Sequence, residues 1–162
     1  VGTGIGGAIL QNGTPWYGGG ISGQFGHMVV ATDGPDCNCG RRGCIETFSS
    51  GTALRRLVVD AGLPEGLPAR DLFQRAKNGD NTASDVLANW ARPFQRALDS
   101  LVVAFDPRLI VIGGGLGKDM VRALTEIDDE SSWFTRPVEA AKLGDNAGVI
   151  GAGLRCFAKD MR

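Results

Sequence analysis

The stretch HMVVATDGPDCNCGRRGC, His27 to Cys44, holds the only histidine of the chain and three of its four cysteines. One imidazole and three potential thiolates, at His27, Cys37, Cys39 and Cys44, are the donor set of a closed tetrahedral zinc site. Gly34, Gly40 and Gly43 let a short loop fold back so that these donors converge. A disulfide is the weaker reading. Three clustered cysteines leave one over, and Cys37 and Cys39, one residue apart, are poorly placed to bridge each other. The plainer alternative is a glycine-rich turn with reduced, unliganded thiols. The donor set predicts a zinc-clipped loop.

Around this loop, length and composition set bounds. A chain of 162 residues fits one ordinary domain, large enough to bury a core without staples. Seventeen Lys and Arg against eighteen Asp and Glu give a formal net charge of −1, so nothing points to nucleic acid or an acidic membrane as partner. No apolar run approaches a membrane span and no secretory pattern is visible. Thiols available for metal suggest a reducing, cytoplasmic setting. The 25 glycines fall in clusters rather than at a fixed period, which excludes a collagen-like chain and suggests tight turns. The chain opens on Val1-Gly2-Thr3-Gly4 without an initiator methionine, in mid-motif, and is expected to be part of a longer protein.

Upstream of the loop, Val1 to Leu10, the turn Gln11-Asn12-Gly13 and the residues after it read as strand, tight turn, strand, since Asn-Gly between apolar runs is a strong hairpin signal. Gly2-Thr3-Gly4 offers free backbone N–H groups and a hydroxyl to a phosphate; a bulged strand end fits these residues equally well. Downstream, Ser49, Ser50 or Thr52 caps a helix running to about Asp60, with Arg55 and Arg56 on its solvent side. Arg70 to Lys77 reads as a short amphipathic helix with Leu72, Phe73 and Ala76 inward.

Asp80 or Asn81 then caps a long helical stretch to Phe105. Val86, Leu87, Trp90, Phe94, Ala97, Leu98, Leu101 and Phe105 recur at three- and four-residue spacing, the pattern of a core-facing stripe. Pro93 lies inside it and predicts a kink or break. Leu109 to Ile112 is a short apolar strand, Gly113 to Gly117 a glycine loop, and Lys118 to Thr125 a helix. Strand, glycine loop and helix in that order point backbone N–H groups at a ligand, although neither the Rossmann nor the P-loop spacing is present. Trp133 to Lys142 reads as strand and loop. Ala147 to Cys156, small and apolar, reads as a closely packed helix with Cys156 as a core thiol.

Taken together these stretches resemble the ROK family of bacterial sugar kinases and sugar-responsive repressors. Gly2-Thr3-Gly4-Ile5-Gly6 is similar to the family's second phosphate loop. Gly26-His27 followed by Cys37-x-Cys39-Gly40-x-x-Gly43-Cys44-x-Glu46 resembles its signature and zinc motif. Asp106-Pro107 with Ile110-Val111-Ile112-Gly113-Gly114-Gly115 resembles its adenosine-side loop, and Gly151-Ala152 its terminal segment. The resemblance implies an α/β fold: one lobe, residues 1–162, of an actin-like ATPase (ribonuclease H-like), with a mixed sheet, helices and the zinc-clipped loop. It is the C-terminal lobe. It further implies a hexose or N-acetylhexosamine in a cleft between two lobes, contacted from Gln24, His27 and Glu46. Nucleotide contacts would come from Gly2, Thr3, Gly4, Gly113, Gly114 and Gly115. Members of the family usually pair as homodimers.

Two departures bear on function. Gln24 stands where the family pattern carries glutamate, so a charge-assisted bond to a sugar hydroxyl becomes a weaker neutral one. The first phosphate loop and the catalytic aspartate belong to the absent N-terminal lobe, so no catalytic residue is assigned here. Glu46 has a second explanation, as a carboxylate favoured at a helix N-terminus, and both can hold. Gln24 favours the effector-binding half of a sugar-responsive transcriptional regulator, which would meet DNA only through a region not present. The glycine loops favour one lobe of an ATP-dependent hexose kinase, with ATP and magnesium as its cofactors. A zinc-stapled interaction domain is the third expectation, and Arg41-Arg42 reads as a solvated pair rather than a DNA contact.

Overall fold

In the computed structural model, which describes residues 1–127 and 137–159, the chain runs through strands β1 (Ile9–Gln11) and β2 (Thr14–Trp16), then a 3-10 turn at Phe25–His27. Helices α1 (Glu46–Ser49), α2 (Gly51–Asp60), α3 (Ala69–Lys77) and α4 (Asn81–Phe105) follow. Strand β3 (Ile110–Ile112), helix α5 (Gly117–Glu126), strand β4 (Val138–Ala140), a second 3-10 turn at Gly144–Asn146 and helix α6 (Ala147–Lys159) complete it.

The Asn-Gly turn forms as its residues require. Asn12 and Gly13 both take positive φ, 52° and 76°, the type I′ geometry whose twist matches a hairpin. β1 and β2 pair antiparallel, with Ile9 opposite Trp16 and Gln11 opposite Thr14. The expected strand from Val1 is shorter than its apolar pattern. Among the described residues, ladder pairing in this segment is confined to Ile9–Gln11, because the backbone before it is bonded to a loop and to the start of α2 instead. Gly7 N–H donates to the Gly23 carbonyl at 2.8 Å, and the Gly2 carbonyl accepts from Gly51 N–H at 2.7 Å.

Of the three candidate caps before α2, Ser50 is the one used, its hydroxyl accepting from Ala53 N–H at 3.1 Å. Asp80 caps α4 by accepting from Ala83 N–H at 3.1 Å. Its other carboxylate oxygen meets Arg75 Nε at 2.7 Å, and the arginine holds the carboxyl below the usual aspartate range. Helix α4 continues unbroken through Pro93. Trp90, Ala91, Phe94, Ala97 and Leu98 are buried on both sides of it, and their burial offsets the lost N–H. The last turn departs from the expected stripe. Phe105 is exposed and stands against the Phe25 ring, 6.4 Å between centroids, because the helix ends there on Asp106 in the left-handed region, beyond the reach of the core.

The core gathers α2, α3, α4 and α5 around Leu72, Phe73, Trp90 and Met120. Each such side chain contributes about 1.5–3 kcal/mol by leaving water. Trp90 also donates Nε1–H to the Ser50 carbonyl at 3.0 Å, which ties the longest helix to the N-cap of α2. On the other side, β3 and β4 pair parallel, Ile110 opposite Val138 and Ile112 opposite Ala140, with α5 as the crossover that a parallel pair needs. The start of the expected Trp133–Lys142 segment lies outside the described residues; its strand is β4.

A further expectation fails among the described residues. Helix α6 is not closely packed, and Cys156 is exposed rather than a core thiol. Val149 and Leu154 are 77 % and 65 % exposed, and a Cβ built on Gly148, Gly151 or Gly153 would meet no described atom within 4 Å. The small residues that suggested tight packing have no described surface to pack against. Arg155 is the exception, its guanidinium lying over the Tyr17 ring at 5.4 Å. Among the described residues no helix is long and apolar enough to cross a membrane.

Candidate functional site

The site begins with a small antiparallel ladder. Val29 and Cys44 form its central bridge, with Val30 N–H donating to Gly43 O at 2.9 Å and Ile45 N–H to Met28 O at 2.8 Å. His27 and Glu46 are the residues next to the two ends of this ladder, His27 closing the 3-10 turn and Glu46 opening α1. Between the two sides the loop is closed by backbone bonds from Cys37 N–H to Arg41 O at 2.8 Å and from Gly43 N–H to Pro35 O at 2.9 Å. Gly43 is required here: its φ is +71°, and a Cβ would strike the Ala31 carbonyl.

The loop brings together all four residues expected as metal ligands. The donor atoms of His27, Cys37, Cys39 and Cys44 lie within 4.8 Å of one another. His27 Nδ1 is 3.5 Å from Cys37 Sγ, and Cys39 Sγ is 3.6 Å from Cys44 Sγ. Zinc–sulfur bonds of about 2.3 Å place tetrahedral neighbours roughly 3.8 Å apart, so spacing and donor chemistry both fit such an ion. No cysteine is in a disulfide.

The thiols differ in environment. Cys44 is fully buried, and burial, followed by its bond to Cys39, pushes its thiol up to about 12. Cys39 is exposed. The backbone N–H of Arg41, then its guanidinium, bring the Cys39 thiol down to about 6. Arg42, as expected, is solvated, pairing at the surface with Asp36 at 3.0 Å.

Glu46 lies at a junction of three segments. Its Oε2 accepts from Ile5 N–H at 2.7 Å and sits 3.3 Å from where a Cβ on Gly26 would be. Gly26 in turn packs flat on the Ile5 carbonyl. Among the described residues, Glu46 Oε1 accepts no hydrogen bond, which leaves one carboxylate oxygen available. The Gln24 carbonyl accepts from His27 N–H at 3.0 Å in a 3-10 turn. Gln24, the exposed N-cap of that turn, caps nothing with its amide. Gln24 and His27 are joined through the 3-10 turn, and the Glu46 carboxylate lies against Gly26 between them in sequence.

The two glycine stretches, far apart in sequence, meet. Leu116 N–H donates to the Val1 carbonyl at 3.1 Å. Gly114, at φ +88°, lies so close that a Cβ would stand 2.6 Å from that oxygen. Thr3 presents its carbonyl to the Thr52 hydroxyl at 3.0 Å. Beside this junction opens a pocket of about 270 Å³ lined by Ile112, Gly113, Gly114, Gly115, Lys118, Asp119, Ala141 and Gly144. Burial raises the Asp119 carboxyl above the usual range, against the opposing pull of Arg122. Sequence reasoning missed Lys118 and Asp119. Their one signal is position, directly after the glycine loop in the first turn of α5.

A model of the ROK family matches residues 1–157. The glucokinase of Thermotoga maritima is 35% identical over 173 residues, which cover 94% of this chain and 55% of that protein. The N-acetylmannosamine kinase of Haemophilus influenzae is 34% identical over 156 residues, covering 94% of this chain and 51% of that one. The chain thus spans about half the length of these curated relatives. Among solved structures, a ROK family glucokinase from Streptomyces griseus in complex with glucose and AMPPNP superposes with a TM-score of 0.74 at 30% identity, over 94% of this chain and 57% of that one. A ROK family transcriptional regulator, a homolog of the E. coli MLC protein, superposes with a TM-score of 0.64 at 30% identity, over 77% of this chain and 34% of that one.

Proposed function

The chain belongs to the ROK family and carries its actin-like ATPase fold, and on that premise we propose that it is the C-terminal lobe of an ATP-dependent kinase of hexoses or N-acetylhexosamines. The observation that supports this reading is the junction of the two glycine stretches. Gly2-Thr3-Gly4 and Gly113-Gly114-Gly115 are held edge to edge through Val1 and Leu116, beside an open pocket at the start of α5. Backbone N–H groups there, with the positive end of a ten-residue helix, suit the phosphates and ribose of a nucleotide. Such close glycine packing tolerates little sequence change, and a pure sensor has no use for it. Magnesium would arrive with the nucleotide, and the base that deprotonates the sugar would lie upstream of Val1.

Zinc in the His27, Cys37, Cys39 and Cys44 cluster would be structural, since four protein donors leave no open position for chemistry. Its role would be positional. His27 gives Nδ1 to the cluster, which fixes the ring and leaves Nε2 for a sugar hydroxyl. Glu46, anchored through Oε2 by Ile5, turns Oε1 to a second hydroxyl. Gln24 adds an amide from the same turn as His27.

That amide favours a second reading, the effector-binding half of a sugar-responsive regulator, because a sensor needs recognition without turnover. The two are separated by assaying ATP-dependent phosphorylation with the full-length protein across glucose, mannose, N-acetylglucosamine and N-acetylmannosamine. Saturable turnover with at least one sugar is the expected result. No turnover, with sugar still raising the melting temperature, would establish the sensor. Neither effect would leave the zinc-stapled interaction domain.

A further inference from the structure

The four donors of the cluster are unequally sheltered. Cys44 is fully buried and Cys37 is 9 % exposed, while Cys39 faces solvent. The exposed sulfur is also the one that stands 3.6 Å from the sulfur of Cys44. Cys37 Sγ lies 3.5 Å from His27 Nδ1 and also within reach of the other two sulfurs, but it is sheltered from solvent. An accessible thiol with a second thiol beside it is the arrangement of a redox-active pair.

We infer that the cluster is a thiol-oxidation site, in which a hydroperoxide entering at Cys39 converts the Cys39–Cys44 pair to a disulfide and expels the metal. The inference rests on the zinc reading above. In the first step the Cys39 thiolate attacks one peroxide oxygen. A sulfur–oxygen bond forms, the oxygen–oxygen bond breaks and hydroxide leaves, giving Cys39 sulfenic acid when the oxidant is hydrogen peroxide. In the second step the Cys44 thiolate attacks that sulfur. The sulfur–sulfur bond forms, the sulfur–oxygen bond breaks and a second hydroxide leaves. Two thiolates have then supplied the two electrons that reduce one peroxide. The ion keeps only Cys37 and His27, half of its coordination shell, and dissociates. Because His27 and Glu46 flank the ladder that Cys44 belongs to, oxidation also loosens the edge proposed to face the sugar.

The test uses full-length protein loaded with one equivalent of zinc and treated with hydrogen peroxide. Released zinc is read with a chromogenic chelator, thiols are counted, and the tryptic map is taken. One zinc is expected to leave for every two thiols lost, with recovery on adding a dithiol reductant and zinc. Arg41 and Arg42 lie between the two cysteines, so trypsin leaves a linked peptide pair whose fragmentation assigns the bridge to Cys39 and Cys44. Dimedone should label Cys39 and neither Cys37 nor Cys44. Cys156→Ser, which removes the exposed thiol of α6 from the count, should leave zinc release and the Cys39–Cys44 bridge unchanged. Zinc retained under peroxide that fully oxidises Cys156, or a bridge through Cys37, would overturn the inference while leaving the zinc reading intact. A protein that takes up no zinc before oxidation overturns both.

Discussion

At the scale of single residues, the clipped loop makes its demands through Cys44. Buried and pushed up to about 12, its thiol keeps its proton at neutral pH until a metal displaces it. Metal affinity should therefore fall as pH falls, by about tenfold per unit for each proton released. Calorimetry in buffers of different ionisation enthalpy would count those protons, and a pH-independent affinity would contradict the assignment. In the metal-free protein the same shift favours the neutral thiol. It contributes stability below the ordinary thiol range of 9.0, and that stability is lost as pH climbs toward about 12. Cys44→Ser should lower bound zinc from one equivalent per chain to under about a tenth of that, measured by elemental analysis after gel filtration.

The four donors were legible in sequence because soft ligands at close spacing have few other uses. Lys118 and Asp119 were not, since two ordinary helix-surface residues acquire meaning only when β4 and the Gly144 turn close a pocket around them. Cys156 was misread for the opposite reason. Small apolar neighbours look the same in sequence whether or not a surface covers them.

At the scale of elements, periodicity and caps carried most of the account. Helix α4 was legible from its stripe, and Asp80 from its place before it. Of the kink or break expected at Pro93, no break forms, because proline's local cost of about 3 kcal/mol is outweighed by the burial of the residues around it. The hydrogen bond from Trp90 to the Ser50 carbonyl could not be read from either segment, since it joins residues forty apart. Trp90→Phe should leave that buried carbonyl unpaired at a cost of about 1–3 kcal/mol. Thermal denaturation would show this as a fall of roughly 2–12 °C, and an unchanged melting temperature would mean that the bond does not form. The glycine junction makes a separate demand. Gly114→Val would place a branched side chain at φ +88° against the Val1 carbonyl. It should raise the KM for ATP at least tenfold while moving the KM for sugar little. Equal changes in both would point to general loosening rather than loss of a nucleotide wall.

At the scale of the whole molecule, the His/Cys loop and the glycine junction are bound to one another through a single short segment. Gly2 is tied to α2, Val1 to Leu116, and Ile5 to the carboxylate of Glu46. The sugar edge proposed at Gln24, His27 and Glu46 and the pocket beside α5 are thus set from the same few residues at the start of the chain. A substrate held at the first and a nucleotide at the second would be oriented by one piece of backbone, the economy that phosphoryl transfer asks of its scaffold. The ladder next to His27 and Glu46, Val29 opposite Cys44, closes a loop that the metal would hold.

The measurement that tests this most directly is a calorimetric titration of the full-length protein with its preferred sugar, on zinc-loaded and zinc-stripped samples whose folding has been matched by circular dichroism. The account predicts sugar affinity at least tenfold weaker after stripping, with recovery when one equivalent of zinc is restored. Equal affinity in the two samples would contradict it, and would separate the clip from recognition of the sugar.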